Sequence, residues 1–184
     1  MLLLTLSLFA LATQAAPPTP FPALEGETLL GEDFRLPKDF GTAPTWLVIG
    51  FTKNSQKATD ACATKLEERF KGQGYSVAIL QGAPFFLKGV IKNGIRKYVP
   101  PDRQSRYLIL NEGRELLKNL AGFEEGSQDD AYVVGFRAIS PTEYPIQFSS
   151  HGACDPSHFM ELTQKIQTLI APKKAPATRE GLSR

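Results

Sequence analysis

Short apolar runs punctuate the sequence, and between them apolar residues recur every three or four positions. Five runs read as strands: "WLVIGF" (46–51), "YSVAIL" (75–80), "RYLIL" (106–110), "AYVVGF" (131–136) and "YPIQFSS" (144–150). The first is continuously apolar, which predicts a strand buried on both faces. The last contains Pro145, which cannot donate to a ladder, so it is expected at an edge. The intervening periodicity predicts helices. One runs from about Gln56 to Lys71, capped by Asn54 or Ser55, with Ala58, Cys62, Leu66 and Phe70 on its inner stripe. A second spans about Pro84 to Tyr98 with Leu87, Ile91 and Ile95 inward, interrupted by Gly89 and Gly94. A short helix, "EGRELLKNLAG", ends in a glycine cap. The last opens at "CDPSHF" with Asp155 as N-cap and Pro156 at the first helical position. Its buried stripe is Phe159, Leu162, Ile166 and either Leu169 or Ile170.

The resulting order is β-α-β-α-β-α-β-β-α. Right-handed crossovers make the first three strands parallel, and the last two close the sheet as a hairpin. This order resembles the thioredoxin-like fold with one added α-β step, as in peroxiredoxins. The expected fold class is therefore α/β, thioredoxin-like in its peroxiredoxin-like variant. The five-stranded mixed sheet would carry helices on both faces.

The ends of the chain differ in character. "MLLLTLSLFALATQAA" is an apolar run closing on small residues, which predicts a signal peptide over 1–16, cleaved after Ala15 or Ala16. It lacks a positive n-region, which leaves an uncleaved anchor as the alternative. Residues 17–45 are rich in Pro and Gly and read as an extended lead-in lying against the domain, which occupies 46–171. The tail, 172–184, is basic, has no periodicity and reads as disordered. The 184 residues and a net charge of +2 allow one domain with a proper core and argue against a general nucleic-acid binder. The expected location is extracytoplasmic, secreted or periplasmic, where paired cysteines oxidise.

In redox-active members of the fold, the turn after the central strand carries CxxC or a peroxidatic cysteine. Here "GFTKNSQK" looks like a peroxiredoxin turn with Ser55 near the thiol position. The segment "GSQDDAY", where a cis-proline would sit, contains no proline. The chain also resembles the thioredoxin-like assembly factors of the mitochondrial ATP synthase and their bacterial relatives. "FPALEGETLLGEDFRLPKDF", "WLVIGF", "LKGVIKNGIRKYVPPDRQSRYLIL" and the glycine and aspartate of "HGACDP" carry that likeness. It covers about Phe21 to Ile170. "RAISPTEYP" departs from it, because the family usually has a short D-x-x-G turn there. The resemblance implies a redox-inactive protein of the cell envelope that assists a membrane-protein client and needs no cofactor.

Few residues could carry chemistry. Ser55 would need a base to act as a nucleophile, and only His151 and His158 exist, so an N-cap role is expected. Lys88, Lys92 and Arg96 share one helix face and predict a basic binding surface for a protein client or, peripherally, an anionic membrane. Phe85 and Phe86 beside it read as core residues, with a lipid- or client-facing surface as the alternative. Cys62 and Cys154 form a candidate disulfide, because the fold returns the loop holding Cys154 to the pole where the first helix begins. Separate buried thiols are the alternative. His151, Cys154 and His158 are a candidate copper or zinc set without standard spacing. The leading expectation is a non-catalytic binding or assembly protein. The alternatives are an atypical thiol oxidoreductase or peroxidase using Cys62 or Cys154, and an envelope copper or zinc carrier.

Overall fold

A computed structural model describes residues 20–152 and 154–172. The expected signal peptide, and the tail beyond Pro172, lie outside the described residues. One mixed sheet of seven strands runs in the order β2-β1-β5-β4-β3-β6-β7. Its strands are β1 (Leu24–Thr28), β2 (Asp33–Leu36), β3 (Thr45–Gly50), β4 (Gly74–Ile79), β5 (Tyr107–Leu110), β6 (Ala131–Phe136) and β7 (Ile146–Gly152). The helices are α1 (Gln56–Arg69), α2 (Phe85–Tyr98), α3 (Arg114–Ala121) and α4 (Pro156–Ile170). Strands β3, β4 and β5 are parallel, and β6 and β7 add to them antiparallel. This is the thioredoxin-like fold.

The expectation of five strands is corrected to seven. The lead-in folds as a β1–β2 hairpin, and β1 pairs antiparallel with β5 through Gly26–Leu110, Glu27–Ile109 and Thr28–Leu108. Glycine and two carboxylates in "LEGET" hide this strand from a propensity reading. The glycine has a packing cause. A Cβ on Gly26 would lie 2.4 Å from the Leu110 side chain and 2.7 Å from the Ile109 carbonyl oxygen, so β5 can approach only because that position is bare.

Strand alternation divides two main cores, beside a third, smaller cluster of Leu29, Leu80, Val99, Tyr107 and Ile109 that Ile95 of α2 packs against. Leu47, Ile49, Val77, Leu108, Leu110, Val134 and Phe136 face a core completed by α3 and by Phe21, Leu24, Leu36 and Phe40 of the lead-in. Trp46, Val48, Ala131 and Val133 face a second core closed by Cys62, Ala63 and Leu66 of α1 and Leu162 and Ile166 of α4. The α1 and α4 stripes are those the 3.6-residue period predicts. Asp155 caps α4 by accepting from the His158 N–H at 2.9 Å, and Gly122 ends α3 in the left-handed conformation.

Helix α2 departs from expectation. None of its residues is buried: Leu87 and Ile91 are 39% and 36% exposed, and Phe85 and Phe86, read as core, are 90% and 76% exposed. Its lysine–arginine face turns inward. Lys92 pairs with Glu27, and the Arg96 guanidinium donates to the Leu29 carbonyl. Among the described residues no helix is long and apolar enough to cross a membrane.

If the lead-in hairpin is an integral part of the sheet, removing one of its buried side chains must cost what a core truncation costs. Leu24→Ala is expected to lose about 2–5 kcal/mol in urea unfolding. A loss near zero would return residues 17–45 to a loose segment.

Candidate functional site

Parallel strands β3 and β4 deliver their C-terminal ends to one pole, where the turn Phe51–Ser55 leads into α1. This is where the sequence places the thiol position. Ser55 is fully buried there. Its hydroxyl donates to the Thr52 carbonyl at 2.8 Å and accepts from the Thr52 N–H at 3.3 Å. The Ser55 N–H in turn donates to Thr52 Oγ1 at 3.0 Å. Thr52 Oγ1 donates to Asp129 Oδ1 at 2.6 Å, and Asn54 Nδ2 donates to Asp129 Oδ2 at 3.3 Å. One turn further, Thr59 Oγ1 donates to the Ser55 carbonyl at 2.9 Å. The expected N-cap role is thereby corrected: Ser55 stands at the N-cap position, but its side chain makes no cap bond and closes the turn on Thr52 instead.

The two hydroxyls lie directly over β3. A Cβ at Gly50 would sit 2.7 Å from Ser55 Oγ and 2.8 Å from Thr59 Oγ1. A glycine at the end of the central strand is what lets the turn fold back so tightly. No base reaches Ser55. His151 Nδ1 lies 3.4 Å from Asp130 Oδ2 with its ring stacked on Tyr132, and His158 Nδ1 lies 3.1 Å from Asp155 Oδ2. A serine whose proton is already given to a carbonyl, and which no imidazole contacts, is not an activated nucleophile.

Cys62 and Cys154 are bonded, with Cα atoms 5.4 Å apart, within the range disulfides span. The bridge is buried, and it joins the α1 stripe to the loop between β7 and α4. Cys154 has a left-handed backbone, φ 49°, and its carbonyl accepts from Lys65 Nζ at 2.7 Å. His151, Cys154 and His158 border one small cleft. Cys154 spends its sulfur in the bridge, and each imidazole faces its own carboxylate. Among the described residues, no three His, Cys, Asp or Glu side chains form a group that could hold a metal.

The basic surface is not assembled as expected. Lys92 and Arg96 are spent on the lead-in, and Lys88 is half-buried, so the three do not form an open cationic face. Lysine and arginine at this spacing look solvent-facing, yet the Leu29 carbonyl and Glu27 offer partners that only the unrecognised hairpin supplies.

Sequence reasoning missed a concavity at this pole. A cleft of about 620 Å³ lies between the strand ends, the start of α1 and helix α2. Phe51, Val77, Ile79, Leu80, Ile91 and Ile95 are among its walls. The signal was present in α2, whose apolar residues outnumber those one buried stripe can use.

The sequence matches no protein-family model and no curated protein. Solved structures do match in fold. A thiol:disulfide interchange protein of the thioredoxin family from Chlorobium tepidum superposes with TM-score 0.51 at 13% identity, covering 85% of this chain and 99% of its own. BsSco, a member of the Sco family of cytochrome c oxidase assembly proteins, gives 0.54 at 9% identity, covering 85% and 96%. The peroxidoxin BcpB from Mycobacterium tuberculosis gives 0.50 at 14%, covering 84% and 97%. At such identities the likeness is one of fold, and function has to be argued from the site.

The bridge closes a long loop, its cysteines lying 92 positions apart. In the chain-entropy account it contributes up to about 4–5 kcal/mol. Purified protein should show the mass of one disulfide, and reductant should lower its Tm. Two freely alkylated thiols, or an unchanged Tm, would contradict this.

The cap of α4 gives a pH prediction. The His158 N–H, then the Ser157 hydroxyl, hold the Asp155 carboxyl down at about 2, below its usual 3.8. A depressed carboxylate stabilises the fold above its unfolded value and loses that contribution as pH falls through the folded one. Comparison of Asp155→Ala with the parent in denaturant should show the mutant weaker at pH 6. The difference should shrink between about pH 4 and pH 2.

Proposed function

We propose that this chain is a non-catalytic, thioredoxin-like binding protein of the cell envelope that assists the assembly of a membrane-protein client. The observation that carries this reading is the state of the thiol position. Ser55 is buried and hydrogen-bonded into its own turn, and both cysteines are tied together away from it. A thioredoxin or peroxidase needs an accessible thiolate stabilised by a helix N-terminus or a cation. Cys62 lies in the second turn of α1, fully buried. The same fold occurs in BsSco, of a family of assembly proteins, which supports an assembly role, and the resemblance to ATP synthase assembly factors points the same way. The apolar leading stretch supports the envelope location. The exposed Phe85, Phe86, Val90 and Tyr98 of α2 give a client an apolar surface of aromatic anchors.

A second reading, a thiol oxidoreductase, rests on the Cys62–Cys154 bond itself. Turnover separates the two. The protein is expected to reduce neither insulin nor hydrogen peroxide faster than its Cys62→Ser variant. Rates well above that control would overturn the binding reading in favour of the enzyme. A stoichiometric metal in protein purified under reducing conditions would favour a carrier. Capture of an envelope membrane protein, lost on replacing Phe85 and Phe86 by serine with Tm unchanged, is the positive result expected.

A further inference from the structure

The cleft beneath α2 has a chemical character that the assembly reading does not use. Its depth is apolar: Phe51, Val77, Ile79 and Leu80 from the sheet end, Ile91 and Ile95 from the helix. Its polar lining includes Lys53, Gln56, Gln81 and Arg114, and no carboxylate lines it. Lys53 is exposed and makes no ion pair among the described residues. Arg114 is held in place, its Nη2 donating to the Gln81 carbonyl at 3.2 Å, while its Nε is buried without a partner. Its guanidinium therefore brings a fixed positive charge to the cleft wall, where an anionic group can pair with it.

We propose that this cleft binds a single-chain anionic amphiphile, with the acyl chain between α2 and the sheet end and the carboxylate or phosphate held by Lys53 and Arg114. The volume, about 620 Å³, falls in the range of roughly 300–1,000 Å³ typical of small-molecule sites. Apolar walls with two cations and no acid select against neutral and cationic ligands. They also select against an extended peptide. Strand β4 at the cleft is paired on both sides, with β3 and β5, so no free edge offers backbone partners. Peptide amides buried against Val77, Ile79 and Ile95 would lose their hydrogen bonds to water without replacement. An acyl chain has none to lose. Helix α2 suits such a ligand. It has no fully buried residue of its own, so the exposed Ile91 gains contacts when the cleft fills, beside Ile95, which already packs on Leu80 and its neighbours.

The proposal goes beyond client binding and does not depend on it. The test is calorimetric titration of the mature protein with laurate, dodecyl phosphate, dodecanol and an apolar heptapeptide, each below its aggregation threshold. Laurate and dodecyl phosphate are expected to bind one per chain, and their ratio distinguishes a fatty acid from a lipid phosphate as the source. Affinity should rise roughly fourfold per added methylene across octanoate, decanoate and laurate. Lys53→Gln and Arg114→Gln should each weaken the anions about tenfold or more and leave dodecanol unaffected. Because Arg114 also holds the Gln81 carbonyl, the exposed Lys53 carries the charge test if Arg114→Gln melts early. Ile91→Trp, at a partly exposed helix position, should fill the cleft and abolish binding with Tm maintained. Absence of anion binding, equal binding of dodecanol, binding of the peptide instead, or indifference to Ile91→Trp would each overturn the proposal. Thiol turnover, which decides the non-catalytic reading, leaves this result untouched.

Discussion

Strand β3 has no solvent-facing side: Leu47 and Ile49 enter one core, Trp46 and Val48 the other, and all four are at most 2% exposed. A strand buried on both faces needs cover on both, and the chain supplies it with α1 and α4 on one face and α3 with the lead-in on the other. It also needs neighbours on both edges, because its backbone groups are out of reach of water. Parallel β4 and antiparallel β6 fill those positions. Since β4 must run parallel, α1 has to begin where β3 ends. That requirement alone fixes the pole at which Gly50, Ser55 and Thr59 crowd together and the cleft opens.

The pole is built for rigidity at the turn and looseness beside it. Thr52, Ser55 and Asp129 satisfy one another, so both hydroxyls of the turn are engaged. The bridge between Cys62 and Cys154 then locks α1 to the loop before α4 on the side away from the cleft. Hydroxyls occupy the turn, and the cysteines are drawn into the core, where they hold the scaffold.

The five strands β3 to β7, all four helices and the buried stripes of α1 and α4 were legible, because each is carried by apolar spacing that burial enforces. The hairpin β1–β2 was not. Its Gly26 answers to the close approach of Leu110, a residue 84 positions later, and local sequence holds no trace of that contact. One omission propagated to the site. Without the hairpin there is no Glu27 or Leu29 carbonyl for Lys92 and Arg96 to meet, so their shared face reads as free. The turn at Ser55 was legible as the place to look. Asp129, which pins it, sits 77 residues from Thr52 and carries no motif. The cleft was missed for a different reason, although α2 carries more apolar residues than one buried stripe can use. Periodicity says which residues share a face, and it assumes that an apolar face finds a packed partner.

Helix α2 shows where that assumption ends. Its polar side is anchored, and its apolar side only in part: Ile95 packs against Leu29, Leu80, Val99, Tyr107 and Ile109, while Ile91 stays exposed. The polar anchor is electrostatic and directional, since Lys92 and Arg96 reach Glu27 and the Leu29 carbonyl at the β1 end of the sheet. Such contacts fix the helix axis without demanding close packing. The space left under Ile91 and Ile95 is therefore a consequence of how the helix is held. If α2 were attached through a buried stripe, opening a cleft would require breaking a core. Attached through its cations and Ile95 alone, it can leave about 620 Å³ beside the strand ends while all three cores stay closed.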